Sequence, residues 1–417
     1  MGKRQIEPLS PFCVLRLVLD SGERLPCLVD HETWLPTRVA TRWAMRYRRY
    51  HTQSSTLAGD LRILGSLYTW ARTSGGFDLD EYLTQGNILT PRQIEAFAST
   101  LRLPESFMDT NIKGLRPVQN APGVSSPLID AGTFDHYLSI TEQFLMWSLD
   151  NMNRGGLSRL TLEQLTAERA QLGYLFQSLR IGARPSERME PLEEQEITQI
   201  RQTIGPTCET QGRWVFPKHI FSEYTRLRNW LLFETALELG VRRGELLKLR
   251  LDSLPRGSDD GIRILRHPDD PADTRAKEPA VKTAERVIPA SRPMLLALRA
   301  YLTLPPPLGR VRGKSPYLFV TNVGQPLSLD RVDDIIQDIS RYSGIAPLSW
   351  HRLRHTWSEK WAGLVLKQPN GKDLLQYLGG WTNPHSPDRY IQHTVAQQAA
   401  DLMQAYHQTL YVEEPER

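Results

Sequence analysis

Six side chains, read in order along this chain, are of the types that hold and break a phosphodiester: Arg242, Lys282, His351, Arg354, Trp381 and Tyr390. A guanidinium is a rigid donor fork that matches two phosphate oxygens and keeps its charge. An imidazole donates or relays a proton near neutral pH. An ammonium can protonate a departing oxygen, and an indole N–H donates without accepting. A phenol becomes a nucleophile once nearby cations favour its charged form. Phosphoryl transfer asks little covalent work of a protein, because its difficulty is charge building up on the non-bridging oxygens. Donors fixed in place around those oxygens are the main lever, each worth on the order of 3 kcal/mol.

The spacing says which elements must carry these groups. An apolar helix over 230–239 ends at Gly240, and another begins beside Arg242. Glu245, three residues on, shares that helical face and is expected to hold the Arg242 fork by accepting from it. His351 and Arg354 are also three apart and project side by side from a helix that Ser349 can cap. His355 points elsewhere and reads as a structural histidine. The segments 280–282 and 286–288 flank a short turn and, with the alternating 261–265, predict a small antiparallel sheet with Lys282 at its edge. Lys277, in Arg275-Ala276-Lys277-Glu278, is the alternative, less favoured because the strand pattern does not place it. Each piece alone has an ordinary explanation: a solvated arginine, a basic helix, a core aromatic. The ordered set carries the chemistry. With no phosphate-cradling glycine loop and no acidic metal pair in the sequence, that chemistry is expected to need no metal, nucleotide or other cofactor.

The chain has 417 residues, enough for two or three domains of roughly 150 residues each. Its hydrophobic and charged fractions, 40% and 24%, are those of an ordinary globular protein. A net charge of +4 permits a polyanionic partner without demanding one, so local clustering decides. Cys13, Cys27 and Cys208 show no CxxC spacing, which argues against a disulfide framework or structural zinc and for a reducing cytoplasm. No apolar run approaches the roughly 18 residues of a membrane span, and residues 1–6 lack a signal-peptide core.

Four segments follow. An N-terminal extension over 1–34 contains a predicted β-hairpin at 12–29, read as a lid on the next domain ahead of an accessory DNA-contacting unit. Residues 35–180 are helical. Arg38, Arg42, Arg46, Arg48 and Arg49, interleaved with Trp43, Tyr47 and Tyr50, make a basic entry helix suited to DNA. Leu57, Leu61, Leu64, Tyr68 and Ala71 form a core stripe, as do Phe134, Leu138, Leu145 and Leu149. Thr90-Pro91-Arg92-Gln93 and Thr161-Leu162-Glu163-Gln164 are helix starts with capping boxes, and 110–132 reads as a long loop. A linker over 181–191 carries Arg184 and Arg188, which can track a phosphate backbone. Residues 192–417 are mostly helical around the small sheet, with helices expected near 292–303, 329–342, 349–367, 371–379 and 396–410. The fold class is mainly α with a small antiparallel β-sheet: a helical domain followed by an α+β domain.

The order Arg, Lys, His-x-x-Arg, His-or-Trp, Tyr resembles the tyrosine recombinase (phage integrase) family over roughly 190–410. Gly240 to Leu246 resembles the family's first arginine box, Val281-Lys282-Thr283 its hairpin lysine, and His351 to Thr356 its second box. Leu378 to Asn383, with Tyr390 following, is similar to the Cre-like variant, in which tryptophan replaces the commoner histidine. The resemblance implies a helical core-binding domain and a catalytic domain closing around double-stranded DNA. It also implies cleavage and rejoining through a 3′-phosphotyrosine at a recombination site, integration or excision of a mobile element, and a homotetramer at synapsis. The helix over 395–410 would then dock in a neighbouring subunit. The chain departs from compact members in three places: a turn at 367–371, a lengthened approach over 269–279, and a larger first half. Two other readings share part of this pattern: a type IB topoisomerase-like nicking-closing enzyme, and a catalytically silent DNA-binding regulator.

Overall fold

The computed structural model describes residues 10–102, 128–154, 161–182, 189–206, 208–210, 213–215, 222–255, 261–304 and 315–410. The chain divides into two compact units, Met1–Leu19 with Arg24–Glu187, and Asp20–Glu23 with Arg188–Arg417.

The first unit opens with two antiparallel strands, β1 (Phe12–Val18) and β2 (Arg24–Asp30), which place Cys13 opposite Val29 and Leu15 opposite Cys27. Both cysteines are free. In α1 (Arg38–Arg46), Val39, Ala40, Trp43 and Ala44 are buried, while Arg38, Arg42 and Arg46 are exposed at i, i+4, i+8. Thr37 makes no cap bond, so the first turn is capped from elsewhere: Asp80 accepts the N–H groups of Arg38 at 2.5 Å and Val39 at 2.9 Å. Tyr68, on α2 (Ser54–Trp70), donates to the same carboxylate at 2.7 Å. Asp80 itself belongs to the short α3 (Leu79–Thr84). α4 (Pro91–Leu101) starts at the expected Thr90–Gln93 box, with Pro91 at the first position where its missing N–H costs nothing. α5 (Ala131–Arg154) follows, and α6 (Leu162–Leu179) starts at the Thr161–Gln164 box. One core joins these helices around Trp43, Leu64, Phe97, Leu138, Phe144 and Phe176.

The second unit begins with α7 (Glu194–Ile204) and a minimal ladder of β3 (Cys208–Thr210) with β4 (Arg213–Val215). Its centre is α8 (Glu223–Leu239), buried on most of its faces, at Leu227, Leu231, Leu232, Phe233, Ala236 and Leu239 and also at the polar Thr225, Arg228 and Thr235. Gly240 ends it in the left-handed conformation, φ 60°, where a Cβ would also lie 2.1 Å from the Trp357 ring. α9 (Arg243–Lys248) follows at once. β5 (Gly261–Ile264) pairs with β6 (Arg286–Pro289), and α10 (Arg292–Thr303), α11 (Leu329–Ser343) and α12 (Trp350–Val365) pack against the same core. Ser349 caps α12, its hydroxyl accepting the Arg352 N–H at 3.1 Å. α13 (Gly371–Gly379) ends at Gly380, φ 63°, and α14 (Asp388–Leu410) closes the described chain.

The fold is mainly α with small antiparallel ladders, as the patterns predict. Two details differ. Residues 280–282 form no strand: β6 pairs with 261–264, and the intervening 265–285 runs irregularly. The last helix begins at Asp388 rather than near 396, so Tyr390 lies in its first turn. Among the described residues, no helix is long and apolar enough to cross a membrane.

Candidate active site

Glu245 organises the region around Arg242. It is the third residue of α9 and 1% exposed, and its Oε2 accepts the Arg242 backbone N–H at 2.6 Å. Its Oε1 accepts from Arg286 Nη1 at 2.8 Å and from the Thr283 hydroxyl. The expectation that Glu245 grips the Arg242 fork is therefore corrected: the guanidinium it pairs with is that of Arg286. The carboxylate is drawn to the helix's own unsatisfied first-turn N–H and to a cation with no access to water. The Arg242 side chain stays half-buried. Burial alone would raise the Glu245 carboxyl, but Arg286, Arg354 and the Thr283 hydroxyl outweigh it and hold it below the usual carboxylate range.

Arg354 joins two helix ends. Its Nη1 donates to Gly240 O and its Nη2 to Gly379 O, each at 2.6 Å, so it satisfies orphan carbonyls at the negative ends of α8 and α13. Its guanidinium lies 5.0 Å from the Trp381 ring centre and 3.8 Å from Glu245. Burial and neighbouring Arg242 push Arg354 down to about 9, against the pull of Glu245, which leaves it charged at neutral pH. Burial first, and then Arg286 and Arg389, also lower Arg242 against the opposing carboxylate of Glu245. These cations are close enough to feel one another and are held together by one buried anion.

Tyr390 is 1% exposed and sits among aromatic and cationic groups. Its ring is 5.6 Å from Trp381 at 30° and 5.1 Å from His355, edge to face at 65°. Arg389 stacks over the ring at 4.5 Å and donates to its hydroxyl oxygen. His355 was expected to point away. Instead its ring lies against Tyr390 and 6.1 Å from the ring centre of His351, because i and i+4 residues share a helical face. His351 itself is exposed at the start of α12. Its crowded surroundings, then Arg389, Arg354 and Arg242, lower its pKa from the ordinary 6.5, so the ring is neutral at pH 7.

Lys282 is exposed on the irregular stretch before β6 rather than at a hairpin edge. Its neighbours tie that stretch to the cluster: Thr283 donates to Glu245, and the Ala284 N–H donates to Gly380 O at 3.0 Å. Gly380 must be glycine here, since a Cβ would meet Arg286 Nη1 at 2.4 Å. The preceding loop is fixed by a buried ion network. Arg275 pairs with Asp273 at 2.7 Å and donates to Leu327 O at 2.9 Å; Lys248 lies 3.2 Å from Asp273 and bonds Glu278. Asp273 is held at about 2, burial being outweighed by Arg275. Lys277 faces outward, 3.1 Å from Asp330.

Of the basic residues expected on DNA, Arg38, Arg42 and Arg46 are exposed on one side of α1. Arg48 is instead turned inward onto Asp60, 2.7 Å away, because that carboxylate is buried and needs a cation. Arg49 lies 6.0 Å from the Tyr50 ring. Arg184 and Arg188 lie outside the described residues. The segment 395–410 is the continuation of α14, exposed at Val395, Leu402, Met403 and Tyr406.

Arg286, Thr283 and Arg389 complete the cluster without having been singled out in the sequence, and His355 joins it although its sequence reading is that of a structural histidine. Arg286 left a trace: it is in phase with the buried Ile288 on β6, an arginine on an inward face. Arg389 left none beyond adjacency to Tyr390.

Residues 215–397 match the model of the phage integrase family. Among solved structures, XerA recombinase is similar at 14% identity and a TM-score of 0.36, over 87% of this chain and 97% of that one. XerH site-specific recombinase bound to a palindromic difH substrate has 16% identity and a TM-score of 0.47, over 85% and 80%. A lambda integrase dimer bound to a COC′ core site has 15% identity and a TM-score of 0.43, over 84% and 94%. No curated protein matches the chain.

Proposed function

We propose that this chain, whose residues 215–397 match the phage integrase family model, is a site-specific DNA recombinase that cuts and rejoins duplex DNA through a 3′-phosphotyrosine on Tyr390. Arg242 and Arg354 hold the non-bridging oxygens of the scissile phosphate, and the Trp381 indole N–H adds a donor. The unprotonated His351 ring takes the phenol proton as the Tyr390 Oη–P bond forms. As the P–O5′ bond breaks, Lys282 gives its proton to the leaving 5′ oxygen, and the reverse sequence reseals the strand. The phosphotyrosine conserves the bond energy, so the cycle calls for no nucleotide. Arg38, Arg42 and Arg46 hold the duplex backbone. Two sites joined by four protomers, with the 395–410 helix docked on a neighbour, would serve integration or excision of a mobile element.

The observation that carries this reading is the packing of Tyr390 against Trp381 while Arg354 lies over the same indole. A phenol, a donor and a permanent cation thereby share one small volume. The test uses a pool of randomised 50-bp duplexes, each with a central nick so that a cleaved end diffuses away. The expected product is a protein–DNA adduct stable to denaturant, with DNA attached at Tyr390 and absent in Tyr390→Phe. An adduct that survives Tyr390→Phe removes the nucleophile assignment. Adducts spread without sequence preference, together with relaxation of supercoiled plasmid, point instead to a nicking-closing enzyme.

A further inference from the structure

Resting on that reading, we propose that Arg389 is a further catalytic residue, the donor that holds the Tyr390 oxygen and stabilises the charge it acquires on attack. The guanidinium stacks over the phenol ring at 4.5 Å and donates through Nη2 to its hydroxyl oxygen. Arg389 and Tyr390 are neighbours in the first turn of α14, and the long arginine side chain folds back over the phenol ring to reach its oxygen. Tyr390 is 1% exposed, whereas Arg389 is exposed, so the guanidinium lies between the phenol and solvent. A phosphate approaching the phenol oxygen from solvent therefore meets Arg389 first.

The same cation belongs to the electrostatics of the cluster. It ranks ahead of Arg354 and Arg242 among the charges acting on His351, and it acts on Arg242 as well. A positive group in contact with the nucleophilic oxygen favours the phenolate over the phenol as the proton leaves. It also attracts the phosphate that the oxygen must reach. Its five N–H donors let it keep one on Oη while another turns to a non-bridging oxygen. Arg354 differs from it, because its guanidinium is engaged with the carbonyls of Gly240 and Gly379. Among the described residues, Arg389 holds no buried carboxylate or carbonyl, and its hydrogen bond and stacking contact are with the phenol.

The experiment follows adduct formation in a single turnover on one nicked duplex recovered from the randomised pool, with DNA affinity measured separately on the same duplex. Arg389→Ala should slow adduct formation by about 30- to 300-fold, the scale of one lost donor, and weaken binding by no more than about 3-fold. Millimolar guanidinium or ethylguanidinium, at constant ionic strength, should restore at least about a tenth of the lost rate to Arg389→Ala and leave Arg389→Lys, itself partly active, unchanged. Chemical rescue separates this role from a structural one, since a small cation cannot repair misplaced backbone. Wild-type cleavage by Arg389→Ala, or a loss confined to affinity, or a slow variant that guanidinium does not rescue, overturns the assignment. Tyr390→Phe run in parallel keeps the two readings apart: an adduct there sinks the phosphotyrosine mechanism, whereas an inactive Tyr390→Phe beside a fully active Arg389→Ala sinks only the role of Arg389.

Discussion

Glu245 and Arg286 form an ion pair at 2.8 Å with neither side chain exposed to solvent. The pair joins the start of α9 to β6, and through the Arg286 bond to Leu378 O at 2.8 Å it also reaches the end of α13. A buried pair is costly to assemble, but removing one partner is worse because the other charge is left without compensation, typically by about 3–5 kcal/mol. Glu245→Ala and Arg286→Ala should each lower the unfolding free energy by that order in a urea titration. The double variant should lose clearly less than the two combined. Strictly additive losses would show that the pair is not a unit.

His351 sets a pH limit on cleavage. Its folded pKa lies below 6.5 because of crowding and the fields of Arg389, Arg354 and Arg242, so the ring is unprotonated at pH 7 and gains a proton only in more acidic solution. The rate of adduct formation should therefore hold constant from neutrality downward and fall on an acid limb below pH 6.5. Arg389→Ala removes one of the repelling charges and should move that limb upward. The check is a rate profile from pH 5 to 8. An acid limb centred above 6.5 in the unmodified protein would contradict the environment described for this ring.

Asp273 makes the loop ahead of Lys282 sensitive to acid. Its folded pKa of about 2 is depressed from the ordinary 3.8. It therefore contributes stability that is complete above 3.8 and is lost as pH falls toward 2. The difference corresponds to about 2 kcal/mol. Urea midpoints measured from pH 5 to 2.5 should fall less steeply for Asp273→Asn than for the parent. At pH 5 the same variant should be the less stable, since Arg275 and Lys248 lose their shared anion. Equal slopes would place the acid sensitivity on other carboxylates.

The sequence made the helices legible, and with them the site residues that ride on helices. Capping residues at Thr90, Thr161 and Ser349 fix where helices begin, and three-residue spacing puts His351 and Arg354 on one element. Those signals are local, and local geometry realises them. What escaped was long-range. Arg286 meets Glu245 across 41 positions, and no periodicity records that partnership. The pattern places Lys282 at the edge of a turn between 280–282 and 286–288, yet β6 pairs with 261–264 and leaves 280–282 irregular. The loop itself announced its charge in Asp269, Asp270, Asp273, Arg275, Lys277 and Glu278. Charge density alone did not say that Asp273 and Arg275 would be buried while Lys277 stayed outside. Arg48 shows the same limit: five arginines looked like one basic surface until Asp60 drew one of them inward.

The remaining exposed arginines of α1 give the last expectation. Arg38, Arg42 and Arg46 recur every four residues, so they face one side while Val39, Ala40 and Trp43 face the core. A helix carrying cations at that pitch can follow a phosphate backbone, and each contact formed releases a condensed counterion. The logarithm of affinity then falls with the logarithm of salt by about 0.9 for each phosphate neutralised. Single alanine substitutions at 38, 42 and 46 should each make that slope shallower by about one and weaken binding to all duplexes alike, because backbone contacts carry no sequence information. Arg48→Ala should leave the slope unchanged and act on stability, since its partner is Asp60. Titrations of a labelled duplex between 50 and 300 mM salt separate the two classes. If Arg48→Ala changed the slope as much as Arg42→Ala, the inward pairing would not persist on DNA and the whole cluster would act as one surface.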